Sequence, residues 1–187
     1  MDNKYNMNKE DNIFFAKRKV VDNIYKSANL EGIAVTFADT YSFMNNVNTG
    51  NISIDDMLKL KGLKDAWEYV LNTIDEDLTV EYIKKYTLKW QNIKPFGEFR
   101  DRGVYEKELD NILKNKNYLE RCIDLFCYIQ RAQMFIDGNK RVANLVANKE
   151  MIRNGQGILA VPVEKIGTYL ELLISYYETG NNIELKN

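Results

Sequence analysis

All-α, in a single domain with one small β-hairpin, is the architecture to expect from this chain. Three observations point there. Proline occurs only at Pro95 and Pro162, so helices can run long without interruption. Apolar residues recur in stripes at helical spacing. A length of 187 residues with 45% hydrophobic content suits one full core, and no repeat, linker or low-complexity stretch divides it.

The elements follow in order. A first amphipathic helix is expected over 14–30, with Gly32 placed to end it. A short second helix covers 37–47. Ser53 with Asp56 comes close to a capping box and starts a third helix reaching about residue 74. Leu58, Ala66, Trp67, Val70 and Leu71 form its apolar stripe, which reads as core. Thr79 is a candidate cap for a helix through Trp90. From 95 to 104 the helical period breaks, and Gly97 and Gly103 flank Glu98-Phe99-Arg100-Asp101-Arg102, which fits a loop or hairpin. An apolar helix over 118–131 leads to a second loop. Another helix covers 139–154, and a last one 163–178 has Pro162 near its first turn.

Composition removes several function classes. Lysine and arginine total 26 against 27 acidic residues, so no global field favours nucleic acid or a membrane surface. Lys84-Lys85 and Lys114-Asn115-Lys116 read as solvated helix faces. Cys122 and Cys127 sit five apart, on different sides of a helix, and read as small buried hydrophobes in a reducing compartment rather than as a disulfide. No apolar run approaches the ~20 residues of a membrane span, and the N-terminus is polar. A cytoplasmic location is expected.

The chemistry concentrates in Phe135-Ile136-Asp137-Gly138-Asn139-Lys140-Arg141, which an Ala-containing apolar run follows. Asp-Gly-Asn ahead of a helix is ordinary turn-and-cap material. It also suits a loop that wraps phosphate with backbone N–H groups and passes it to a helix N-terminus. Asp137 would then bind a divalent cation, and Lys140 and Arg141 would neutralise phosphate oxygens.

Residues 133–144 resemble the active-site motif of the Fic (Fido) family, H-x-F-x-D/E-G-N-G/K-R-x-x-R. Phe135, Asp137, Gly138, Asn139, Lys140 and Arg141 match it. Gln133 stands at the family's histidine and Asn144 at its second arginine, and the chain has no histidine at all. Phe96-Gly97-Glu98-Phe99-Arg100 looks like the element leading into the family's target-docking flap, which would involve Gly97, Phe99, Arg100 and Arg102. Asn154-Gly155-Gln156-Gly157-Ile158 and the tyrosines near Tyr176-Tyr177 are similar to the end of the domain. Ser27-Ala28-Asn29-Leu30-Glu31-Gly32 is similar to the family's inhibitory motif, S/T-x-x-x-E-G/N, making 14–32 a candidate inhibitory helix within one domain of residues 1–187.

The resemblance implies a bacterial-type protein that binds ATP and Mg²⁺ and transfers AMP to a Tyr, Thr or Ser hydroxyl of a target protein. A homo-oligomer is compatible with it. Asp137 would be the metal ligand. Gly138, Asn139 and Lys140 would form the anion cradle, Arg141 the phosphate clamp, and Asn144 would stand at a further phosphate-binding position. Gln133 has no useful basicity near pH 7, and losing a general base costs about 10²–10⁴ in rate, so transfer would be slow. Without the second arginine, Glu31 must pair with Arg141, Lys140 or another donor. Two further readings stand beside AMP transfer: an ATP-binding pseudoenzyme working through partner contact, and a Doc-like protein kinase, which Lys140 favours modestly.

Overall fold

In a computed structural model of the chain, residues 5, 7–47, 52–89, 99–100 and 102–186 are described. Among these residues the chain is helical, with one isolated antiparallel bridge and no strand. The helices are α1 (Lys9–Leu30), α2 (Phe37–Met44), α3 (Ile54–Asn72), α4 (Val80–Lys89), α5 (Tyr105–Leu113), α6 (Tyr118–Ala132), α7 (Asn139–Arg153), α8 (Ile166–Thr179, entered through a 3₁₀ turn, Val163–Lys165) and α9 (Ile183–Lys186).

Local chemistry sets most of the boundaries. Ser53 caps α3 by accepting from the Asp56 N–H at 3.1 Å, and Thr79 accepts from the Tyr82 N–H at 3.0 Å at the start of α4. Thr36 and Asp39 close a full capping box on α2. The first helix begins at Lys9, five residues before the expected start, because Asn8 caps it and long-range bonds hold its first turn. Asn12, fully buried, accepts from the Gly157 N–H and donates to the Gly157 carbonyl, both at 2.9 Å. Nearby, Gly155 (φ +66°) lets the chain pass so close to Met7 that a Cβ there would fall 1.9 Å from the Met7 carbonyl oxygen.

Most of the stripe expected on α3 faces the core: Ala66, Trp67 and Val70 are buried and Leu71 packs against it. Leu58 is exposed, and Leu60 and Leu63 are buried as well. Helix α5 was not foreseen: it is short and lacks a side-chain cap, although Tyr105 and Leu109 are buried one turn apart. Trp90 lies outside the described residues. So do residues 95–98 and 101 of the expected hairpin. Pro162 precedes the 3₁₀ turn rather than lying inside a helix.

Helices α6 and α7 pack as an antiparallel pair, and α7 forms the centre, touching α1, α3 and α4 as well. Being buried on nearly every side, it must satisfy its own polar groups. Asn148 clamps Leu159, donating to its carbonyl and accepting from its N–H, both at 2.8 Å. Lys149, fully buried, donates to the carbonyls of Ile74 (3.0 Å) and Glu76 (2.5 Å) and lies over the Tyr82 ring, and burial lowers its pKa to about 8. Cys122 and Cys127 are buried free thiols on α6. No helix of the described residues is long and apolar enough to cross a membrane.

Candidate functional site

The loop between α6 and α7 carries the motif, and its side chains determine its shape. Helix α6 ends at Gln133, which takes the left-handed conformation (φ +49°, ψ +50°), an uncommon state for a residue with a Cβ. The Gln133 side chain compensates by donating from Nε2 to the Gln130 carbonyl at 2.6 Å, satisfying an acceptor the helix end leaves open. Met134 and Phe135 then plunge into the core. Phe99 forms the antiparallel bridge to Phe135, with the two rings 5.5 Å apart, and the Arg100 N–H donates to the Met134 carbonyl at 2.7 Å.

The turn itself is closed by Asn139. Its Oδ1 accepts from the Phe135 N–H at 2.9 Å, while Nδ2 donates to the Phe135 carbonyl at 2.8 Å and to Gln133 Oε1 at 3.2 Å. That side chain therefore holds the shape of the loop while bordering the pocket. Gly138 caps α7 with φ +83°, a conformation that would strain any other residue. Asp137 Oδ1 accepts from the Gly138 N–H at 2.6 Å, and its Oδ2 meets Arg141 Nη2 at 3.0 Å. The first turn of α7 presents backbone N–H groups with no partner inside the helix, which favours an anion in front of it.

A carboxylate of the protein itself lies there. Glu31, the C-cap of α1, reaches across to Arg141 Nε (3.3 Å) and Lys140 Nζ (4.0 Å). Its Oε1 is buried and accepts no hydrogen bond among the described residues. Burial pushes the Glu31 pKa up; Arg141 and Lys140 pull it back only in part, and Asp137 adds to the rise.

Glu31, Gln133, Asp137, Gly138, Asn139 and Lys140 line one pocket of about 280 Å³. Arg141 stands beside it. The opposite wall is apolar and comes from α8, through Leu170, Leu173, Ile174 and Tyr177, with exposed Ile136 at the rim. These α8 positions fall at i, i+3, i+4 and i+7, a stripe that sequence reasoning cannot tell from an ordinary core face. Tyr177 approaches Gln133, and burial raises its pKa.

Other expected site residues lie elsewhere. Asn144 is buried inside the helix packing, donates to the Leu159 carbonyl at 3.3 Å, and does not line the pocket. Its position on a helix buried all round commits its amide to the neighbouring loop. Ser27 is half-buried on α1 and its carbonyl accepts the Glu31 N–H. Of the flap residues, Gly97 lies outside the described residues, Phe99 packs on Phe135, Arg100 holds the loop through its backbone, and Arg102 is exposed.

Among the described residues, no group of three or more His, Cys, Asp or Glu side chains is arranged to hold a metal ion. Mg²⁺, however, commonly takes one or two carboxylates and completes its shell with water and substrate phosphates. Asp137, with a side chain 64% exposed next to the pocket loop, fits that use.

No family model matches the chain, and no curated protein matches it. Solved structures do. Fic-1 of C. elegans (residues 134–508) superposes with a TM-score of 0.74 at 17% identity, over 90% of this chain. A Fic domain containing signaling protein from Bacteroides thetaiotaomicron superposes with a TM-score of 0.74 at 20% identity, over 88% of this chain and 74% of that one. This chain has the Fic fold. It spans 57% of the C. elegans structure's length. The loop between α6 and α7 is thus set in a Fic-like helical frame.

Proposed function

We propose that this chain is a Fic-type nucleotide-binding protein that transfers AMP from ATP to a Tyr, Thr or Ser hydroxyl of a target protein, slowly and under restraint from Glu31. One observation carries most of this. Glu31 brings an anion to the N-terminus of α7 between Lys140 and Arg141, the location an outer phosphate of ATP would need. A volume of about 280 Å³ falls just below the usual range for small-molecule sites. With Glu31 in place, the pocket takes only part of a nucleotide.

In this mechanism the α7 N–H groups and Lys140 hold phosphate oxygens, and Arg141 joins them once Glu31 withdraws. The α8 wall takes the base. Asp137 would hold Mg²⁺, which supplies charge neutralisation along the triphosphate. The target oxygen forms its bond to the α-phosphorus as the bond to the β-phosphate oxygen breaks and pyrophosphate leaves. Gln133 orients the hydroxyl without accepting its proton, which passes to a phosphate oxygen. Positioning and charge stabilisation do most of such work, so the missing base slows transfer rather than abolishing it.

Both ends of the Gln133 amide are already engaged, at Gln130 and Asn139, and that favours a second reading: nucleotide binding without transfer, acting through partner contact. Glu31→Gly protein incubated with α- or γ-labelled ATP and target lysate separates the possibilities. Transfer of α-label, faster with Gln133→His added, is the expected result. Transfer of γ-label alone means phosphorylation. Silence from both labels in both variants, with ATP binding by calorimetry, leaves the second reading.

A further inference from the structure

A path of side-chain hydrogen bonds runs behind the pocket, and the motif does not contain its key members. Gln130, in the last turn of α6, is fully buried and does not line the cavity. Its Oε1 accepts the hydroxyl of Tyr169, a buried residue in the first turn of α8. Its Nε2 donates to the Phe126 carbonyl at 2.9 Å, which fixes the amide's orientation, since only nitrogen can donate there. Its main-chain carbonyl receives Gln133 Nε2 at 2.6 Å, and Gln133 Oε1 receives Asn139 Nδ2 at 3.2 Å. One residue thus connects α8 with the first turn of α7, the two opposing sides of the pocket.

Helix α8 has side-chain ties to the end of α6, a buried one from Tyr169 to Gln130 and a half-exposed one from Tyr177 to Gln133. Tyr169, Leu173 and Tyr176 are its buried residues. Leu173 attaches by packing, and Tyr176 by packing with the Arg131 guanidinium 5.6 Å from its ring centre. Such contacts tolerate a slide or a small rotation; a hydrogen bond to a buried amide does not. Leu170, next to Tyr169, and Ile174 and Tyr177 further along line the cavity, so a rotation of α8 would turn this stripe relative to it. Burial also keeps the Tyr169 phenol protonated, so it remains a donor at any working pH.

We infer that Gln130 and Tyr169 are positioning residues of the nucleotide site, fixing the rotation and distance of the α8 wall against the phosphate loop and so the grip on the nucleoside. This rests on the nucleotide reading above. Calorimetry with two probes tests it, ATP and inorganic triphosphate, on the full chain carrying Glu31→Gly. Tyr169→Phe should weaken ATP by about tenfold or more and leave triphosphate unchanged. Tyr169→Phe combined with Gln130→Met leaves no Tyr169 or Gln130 polar atom unpaired; thermal stability should recover while the ATP defect persists. Unchanged ATP affinity, equal loss of both probes, or recovery of affinity together with stability overturns the inference. A Glu31→Gly parent that binds neither probe overturns the nucleotide reading, and this inference with it.

Discussion

The two ends of the α6–α7 pair each bury a glutamate against an arginine, yet they finish the job differently. At the far end Glu150 Oε2 accepts from Arg121 Nη2 at 3.1 Å and from Asn154 Nδ2 at 3.4 Å, with Arg153 a further 4.0 Å from Oε1. Arg121 also donates to the Leu113 carbonyl at 3.1 Å and stacks on Tyr118. At the loop end, Glu31 meets Arg141 at 3.3 Å, and among the described residues its Oε1 accepts no hydrogen bond. The arginines are alike at 13% and 14% exposed, and Glu150 lies deeper than Glu31 (4% against 13%), so burial does not explain why the far pair is the better tolerated. Hydrogen bonding does. A buried charge is tolerated when its lone pairs are met and is costly when they are not. The far pair acts as a rivet, and the loop pair as a latch that can be lifted.

Three variants test that contrast. Arg121→Ala should have the largest effect, a loss of about 3 kcal/mol by urea unfolding, because Glu150 would remain buried with only the long contacts to Asn154 and Arg153. A loss under about 1 kcal/mol would make the two ends equivalent. Asn139→Ala should cost about 2–3 kcal/mol, since it strips partners from both backbone groups of buried Phe135. That would locate the softness of the loop end in its ion pair and not in the turn.

Glu31→Gln has the smallest effect and the opposite sign. It should add about 1 kcal/mol at pH 7, because an incompletely paired carboxylate is replaced by a neutral amide. The Glu31 pKa is raised in the folded state above its ordinary value near 4.5. Its contribution is therefore fully present below that value and lost as pH rises through the raised one. The stability difference between wild type and Glu31→Gln should shrink toward acid pH. A difference that grows toward acid pH would mean the pair stabilises the fold and is no latch.

How much of this was legible beforehand varies with the range of the interaction concerned. Ser53 and Thr79 announce helix starts because a cap acts over three residues. Gly138 and Asn139 announce a turn for the same reason. The early start of α1 has a local signal too, the Asn8 cap, but what holds that first turn in place is Asn12 with its partner at Gly157, far along the chain. Helix α5 was hidden because nothing local caps it. Leu58 and Leu60 are equally apolar, and only the packing of α3 decides which is covered. Asn139 looked like a ligand group, yet its amide closes the loop. Asn144 looked like a site position, yet it faces Leu159.

By itself, the sequence determined that a helix would end near residue 132, that an acid, a glycine and an amide would turn the chain, and that two cations would open the next helix. Those outcomes follow from dihedral preferences and caps, which act within a few residues. Only the tertiary structure decided that Glu31 would lie against Lys140 and Arg141, that α8 would supply the apolar wall, and that Gln130 would tie the two sides together. These partners lie far apart in the chain, and packing and desolvation, which have no local signature, bring them together.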